Sequence, residues 1–116
     1  MSENKYDLCE RLEDFAASII LLNDKKPLSY AGDYLAKQLI RSSCSSALNY
    51  GEVLGAGTDA DKINKLRIRL RELRESQRNL NIQSKVKLFS NEDLFGLKNE
   101  NDQLIRIIVT RIKNIN

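Results

Sequence analysis

Four arginines in the third quarter of the chain share a spacing that suits the binding of anions. They follow one another at intervals of four, three and four residues, at positions 67, 71, 74 and 78. On a helix this spacing places them on one strip about 60° wide. Like charges at these intervals repel by about 0.2–0.5 kcal/mol per pair, so an anion lying across the strip would stabilise it. Guanidinium groups favour planar, bidentate partners such as phosphate and carboxylate.

Positive charge is concentrated around these arginines. Residues 62–87 contain nine basic and two acidic side chains, whereas residues 1–33 contain four basic and seven acidic ones. The nucleic-acid-binding residues predicted from this distribution are Arg67, Arg71, Arg74, Arg78, Lys85 and Lys87. An aromatic surface on which bases could stack is missing from this part of the sequence, where only Phe89 is near.

Three interpretations of the arginine strip stay open. It binds a nucleic-acid backbone, it forms ion pairs across a protein interface, or it is a solvated face beside the core. In the second interpretation the partner is an acidic surface of a sister subunit, with Glu10, Glu13 and Asp14 as its carboxylates.

A second group of polar residues lies in the second quarter of the chain. At 100° per residue they form one narrow stripe beside an apolar one. Short polar side chains in this position suit a helix that packs closely against others through a buried, hydrogen-bonded seam. The stripe consists of Gln38, Arg41, Ser42, Ser45, Asn49 and Glu52. We expect Arg41 to pair within this seam with a carboxylate of the following helix, for which Glu72 and Glu75 are the two candidates.

The composition argues against catalysis and metal binding. The chain contains no histidine, which is the most common general base and transition-metal ligand. Without a base directed at Ser42 or Ser45, nucleophilic catalysis has no support. Di-iron sites in helical bundles need Glu-x-x-His motifs, which are absent here. We therefore expect no enzyme, metal or cofactor, and reduced thiols at Cys9 and Cys44.

Hydrophobic periodicity predicts the elements that position these groups. Apolar residues recur every three or four positions in four segments separated by polar turns. The predicted helices are residues 5–22, 30–54, 59–83 and 91–115. Four helices of this length joined by short turns favour an all-α, up-down-up-down four-helix bundle that forms one domain over residues 1–116.

The last predicted helix bears on assembly. Additional apolar surface lies outside its core seam, at Ile105, Ile107, Val109 and Ile115. This surface is either buried between subunits or part of a wide core stripe. No apolar run approaches the roughly 20 residues that cross a bilayer. The N-terminus is polar and acidic, unlike a signal peptide. We therefore expect a cytoplasmic homo-oligomer without membrane contact.

The polar stripe also resembles a family motif. The pattern Q-x-x-R-S-x-x-S-x-x-x-N-x-x-E, from Gln38 to Glu52, is similar to the central motif of the bacterial four-helix bundle family, also called the 23S rRNA intervening-sequence proteins. The pattern from Leu66 to Glu75 is similar to the third helix of that family, and the resemblance covers about residues 8–113. It implies a bundle that forms a homopentamer with a basic surface and has no assigned activity.

The same resemblance extends to the accessory protein of diversity-generating retroelements, which implies a reverse transcriptase and nucleic acid as partners. Two positions depart from the family pattern, because Val53 follows Glu52 where glycine is usual, and Arg71 replaces a small residue. The sequence thus predicts a non-enzymatic, homo-oligomeric bundle that binds RNA or another nucleic acid through its third helix. The alternative is a structural scaffold whose arginine strip pairs with acidic protein surface.

Overall fold

The computed structural model describes residues 5–25 and 29–115, which form four long helices and one short one, without a strand in these ranges. The helices are α1 (Lys5–Asn23), α2 (Tyr30–Leu48), the short α3 (Gly51–Leu54), α4 (Asp59–Lys85) and α5 (Asn91–Ile115). This confirms the predicted all-α four-helix bundle. Residues 1–4, 26–28 and 116, which the single-domain prediction also includes, lie outside the described residues.

The long helices enclose one hydrophobic core. α1 packs against α2 and α5, and α4 packs against the same two helices, so α1 and α4 lie diagonally across the bundle. Leucine and isoleucine side chains at the predicted three- and four-residue intervals fill the centre, because this spacing brings them to one face of each helix. The fully buried ones are Leu8, Leu12, Ile19, Leu39, Leu66, Leu73, Leu80, Leu94, Leu104 and Ile108. No helix in the described ranges has the length and hydropathy needed to span a bilayer.

Serine and threonine side chains begin three of the helices. Ser29 Oγ accepts from the backbone of Gly32 at 2.9 Å, and Thr58 Oγ1 accepts from Asp61 at 3.0 Å. Ser90 Oγ accepts from the backbone N–H of Asp93 at 3.0 Å at the start of α5. Each hydroxyl satisfies one of the N–H groups that a first turn leaves unpaired. The helix starts therefore follow from local sequence.

The prediction of one continuous helix over residues 30–54 is wrong at its end. α2 ends at Leu48, and the chain turns before α3 begins at Gly51. The carbonyl of Asn49 accepts from Glu52 N at 3.0 Å, an i+3 bond that tightens the turn, and from Arg69 Nη1 at 2.7 Å. Since a side chain of α4 takes part in this turn, the break depends on tertiary contacts. The other helices agree more closely with the prediction. α1 ends one residue later than predicted, α4 ends two residues later, and α5 has the predicted bounds.

Asn101 is a polar residue in the core seam of α5. It is fully buried, its Nδ2 donates to the carbonyl of Leu73 at 3.1 Å, and its Oδ1 has no hydrogen-bond partner in the described part of the chain. A buried asparagine of this kind fixes helix register at a cost in stability.

We expect Asn101→Leu to raise the free energy of unfolding by about 1 kcal/mol, because leucine has a similar shape and buries no unpaired acceptor. Urea denaturation followed by circular dichroism measures the change. The control is Asn99→Leu at an exposed position of the same helix, where we expect a change within about 0.5 kcal/mol. A clear loss of stability at position 101 would contradict this expectation.

Candidate nucleic-acid interface

All six basic residues predicted to bind nucleic acid are exposed. Arg67, Arg71, Arg74 and Arg78 lie on the outer side of α4, and Lys85, the last residue of that helix, lies on the same strip five turns beyond Arg67. Lys87 is in the turn that follows, in the left-handed backbone region with φ 58°. None of the six makes an ion pair within residues 5–25 and 29–115.

The neighbouring helix adds two further cations to this surface. Lys37 and Arg41 are exposed on α2, and Arg41 Nη2 lies 3.7 Å from Glu75 Oε1 of α4. We call the combined surface the basic face, which consists of Lys37, Arg41, Arg67, Arg71, Arg74, Arg78, Lys85 and Lys87. Its α4 strip is about 27 Å long at 1.5 Å per residue from Arg67 to Lys85. The surface is therefore long enough to contact several phosphates of one strand.

Behind the basic face, α2 and α4 meet through the serines that the sequence indicated. Ser42 and Ser76 share a hydrogen bond with their hydroxyl oxygens 2.7 Å apart, and both side chains are buried. Ser45 donates to Glu72 Oε2, and Asn49 Nδ2 donates to Ser45 Oγ at 3.1 Å. These bonds hold the two helices in close contact. The polar seam, as we call these residues, connects helices and leaves none of these hydroxyls directed at solvent.

The cation in the polar seam is Arg69. Its side chain is 3% exposed. Its Nε donates to Glu72 Oε1 at 3.0 Å, and its Nη1 contacts Asn49 O at 2.7 Å and Glu52 Oε1 at 3.3 Å. This arginine thus connects α4 to the end of α2 and to α3, and its charge is matched by two carboxylates.

Arg41 therefore pairs with Glu75, one of the two carboxylates expected for it, and not with Glu72. The expectation that this pair lies inside the buried seam is wrong. The Arg41 side chain is 56% exposed; its guanidinium contacts Gln38 Oε1 at 3.2 Å and Glu75 at 3.7 Å at the edge of the α2–α4 interface. Position 41 points outward because Leu39 and Ser42, which are both buried, lie about 160° and 100° away from it around the helix. Gln38 and Arg41 consequently lie at the edge of the interface, and Ser42 bonds to Ser76. Only Ser45, Asn49 and Glu52 of the predicted stripe belong to the Arg69 network.

A repeating pattern in α4 could have identified Arg69. Polar residues recur along one side of this helix at the intervals of three and four that mark a buried face. These residues are Arg69, Glu72, Ser76, Asn79 and Gln83. At the far end, Asn79 Nδ2 donates to Leu35 O at 2.9 Å, and Gln83 Nε2 donates to Asn79 Oδ1 at 2.7 Å. Charge alone does not distinguish Arg69 from the exposed arginines of α4, whereas its position on this face does.

Burial shifts the pKa of Tyr50, which lies at the turn between α2 and α3. It is 1% exposed, and burial raises the pKa of its phenol above the ordinary value of 10.0. Arg111, whose Nη1 donates to Tyr50 Oη at 3.2 Å, acts in the opposite direction. The phenol therefore stays neutral near pH 7 and serves as a structural hydrogen-bond acceptor. Within the described residues, no three His, Cys, Asp or Glu side chains come together as metal ligands, and Cys9 and Cys44 are free.

These features define a class of protein: a helical bundle with a polar seam between α2 and α4 and a basic outer face. Residues 4–110 match the model of the 23S rRNA-intervening sequence protein family, so the chain belongs to that family, as the sequence motif predicted. Its fold is similar to that of a protein of unknown function from the S23 ribosomal protein family of Bacteroides thetaiotaomicron. The TM-score is 0.81 at 24% identity, over 91% of this chain and 98% of that chain. At this identity the likeness concerns the fold alone. No curated protein matches the chain.

Proposed function

We propose that this protein is a non-enzymatic homo-oligomer that binds RNA or another nucleic acid through phosphate contacts of the basic face. The supporting observation is that the arginines of α4 fall into two groups, which differ in burial and in carboxylate partners. Arg69 is buried and matched to Glu52 and Glu72, whereas Arg67, Arg71, Arg74 and Arg78 are exposed and have no carboxylate partner in the described part of the chain. Exposed guanidinium groups on one strip repel one another, and a phosphate backbone along the strip removes that repulsion.

Binding of this kind depends on salt and tolerates changes of sequence. Each phosphate that a cation neutralises releases counterions, and the slope of log K against log salt changes by about 0.7 per contact for a single strand and about 0.9 for a duplex. Contacts to phosphate position the protein but carry no base information. We therefore expect similar affinities for RNAs of unrelated sequence and a steep loss of affinity as salt rises.

Reversal of two charges on the basic face tests the proposal. We expect the double variant Arg71→Glu, Arg74→Glu to bind a fluorescently labelled structured RNA at least about 100-fold more weakly than the unmodified chain at low salt, because hydrogen bonds to charged groups contribute about 1.5–3 kcal/mol each. Fluorescence anisotropy measures the affinity, and circular dichroism verifies that the variant is folded.

A matched control changes net charge by the same amount elsewhere. Arg106 and Lys113 are exposed basic residues of α5 outside the basic face, and the variant Arg106→Glu, Lys113→Glu should bind within about threefold of the unmodified chain. The proposal fails if the unmodified chain does not bind RNA at about 50 mM salt. It also fails if both double variants lose affinity equally.

The second candidate function is a scaffold that assembles through charge. Glu10, Glu13 and Asp14 are exposed on α1, which lies diagonally opposite α4. The acidic surface of one copy can therefore meet the basic face of the next in a head-to-tail contact, which closes into a ring when the rotation permits. In that case Arg71→Glu, Arg74→Glu would lower the mass in light scattering, and adding Glu10→Arg, Glu13→Arg would restore it without any nucleic acid.

A further inference from the structure

We infer that the basic face binds single-stranded nucleic acid, with unpaired bases stacked on Tyr30 and Tyr34 of α2. The inference rests on the proposed function and adds the form of nucleic acid that is bound. Tyr30 is 88% exposed and Tyr34 is 55% exposed. Phe89, the aromatic residue that is near the arginines in sequence, is 8% exposed and has no free ring face. The tertiary structure thus supplies from another helix the aromatic surface that α4 lacks.

The two tyrosines belong to the same outer surface of α2 as its cations. At 100° per residue, Tyr30, Tyr34, Lys37 and Arg41 lie within a strip about 60° wide. All four are exposed. Because Arg41 contacts Glu75 at 3.7 Å, this strip borders α4 along the interface between the two helices. The tyrosines are therefore part of the basic face rather than of a separate surface.

The register of the two helices places Tyr34 between cations of α4. Leu35 O accepts from Asn79, Ser42 meets Ser76, and Ser45 donates to Glu72. Residue numbers therefore fall along α4 as they rise along α2, and the two helices run antiparallel with a fixed pairing. Arg41 lies beside Glu75. Tyr34 is two turns nearer the N-terminus of α2, so it lies at the level of Ile82, two turns nearer the C-terminus of α4; Ile82 is 46% exposed. Along the length of α4, Tyr34 therefore lies between Arg78 and Lys85. Packed helices are about 8–10 Å apart, so one nucleotide can reach a tyrosine ring with its base and an α4 cation with its phosphate.

The chemistry of this surface favours a single strand over a duplex or a protein. In a duplex the faces of the bases are covered by neighbouring bases, and only unpaired bases can stack on an aromatic side chain. The cores of protein interfaces are depleted in charged residues. Here the tyrosines lie on the same exposed strip of α2 as Lys37 and Arg41, beside the helix that carries the exposed arginines. Alternation of aromatic rings and cations is the arrangement by which proteins bind single strands without regard to sequence.

The test uses the full-length chain and two labelled probes, a 20-nucleotide oligouridylate and an abasic ribose-phosphate strand of the same length. We expect the double variant Tyr30→Ala, Tyr34→Ala to bind oligouridylate at least about 30-fold more weakly, given the range for base–aromatic stacking at two rings, and to bind the abasic strand as the unmodified chain does. The slope of log K against log salt should not change, because tyrosine neutralises no phosphate. The matched variant Tyr30→Phe, Tyr34→Phe retains the rings and should bind like the unmodified chain.

Each alternative outcome is distinct. If the unmodified chain binds neither strand but binds the structured RNA of the first test, this inference is overturned and the proposed function stands. If it binds none of the three, both are wrong. If it binds both strands equally and the alanine variant changes neither affinity, the tyrosines make no contact with bases, while phosphate binding by the basic face stands. If the alanine variant instead lowers the mass in light scattering without weakening oligouridylate binding, the tyrosines belong to a protein interface, and the inference is overturned.

Discussion

Replacing Arg69 with methionine is expected to lower the free energy of unfolding by about 3–5 kcal/mol. Methionine fills much of the same volume but leaves Glu72, whose side chain is 14% exposed, without the cation that neutralises it. The carbonyl of Asn49 also loses the bond that holds the turn between α2 and α3. Breaking one side of a buried ion pair costs more than the pair contributes, because the remaining charge stays out of water. Urea denaturation monitored at 222 nm provides the measurement.

Two further variants make this expectation specific. Arg67→Met makes the same substitution at an exposed position two residues earlier, and we expect a change within about 0.5 kcal/mol. Adding Glu72→Leu to Arg69→Met should recover part of the lost stability, since the uncompensated carboxylate is removed together with its partner. A loss below about 1 kcal/mol for Arg69→Met alone would show that water reaches Glu72 and that the polar seam is not sealed.

The second large effect is expected where α2 and α4 approach most closely. Ser42 is 1% exposed, Ser76 is fully buried, and their hydroxyl oxygens are 2.7 Å apart. A leucine side chain at position 42 is too large for the space between the two helices and would clash with the surface of α4. We expect Ser42→Leu to lower the free energy of unfolding by about 3 kcal/mol, from overpacking and from the loss of the Ser42–Ser76 hydrogen bond. Thermal and urea unfolding both measure this change.

Ser42→Ala separates the two contributions. It removes the hydrogen bond without adding volume, so we expect a loss of about 1 kcal/mol. Ser18→Leu, at an exposed position of α1, controls for the change of residue type and should shift stability by less than about 0.5 kcal/mol. If Ser42→Leu is tolerated as well as Ser18→Leu, the helices are not held together as closely as the Ser42–Ser76 bond indicates.

The fold could be predicted because its determinants are local. The periodic leucines assign each helix its buried side, and Thr58 and Ser90 mark where α4 and α5 begin. The break after Leu48 could not be predicted in this way. It depends on Arg69, which is twenty residues from Asn49 in sequence and donates to its carbonyl. A contact of that separation leaves no periodic pattern at the position where the helix stops.

The candidate site was predictable to the extent that it lies on one helix. Arg67, Arg71 and Arg74 face outward because the leucines between them face inward, and this relation can be read from helical geometry. Arg69 was missed because its charge was considered before its position on the helix. Tyr34 was missed because it reaches the basic face from α2, through a pairing of helices that only the tertiary structure defines.

The diagonal placement of α1 and α4 has an electrical consequence. Exposed carboxylates of α1 and exposed guanidinium groups of α4 lie on opposite sides and give the molecule a dipole moment across the bundle. In the field of a polyanion such a molecule rotates before contact, so productive encounters become more frequent at low ionic strength. The acidic surface of α1 on the opposite side repels a second strand. We therefore expect each molecule to bind one strand at a time and not to cross-link nucleic acids into precipitates.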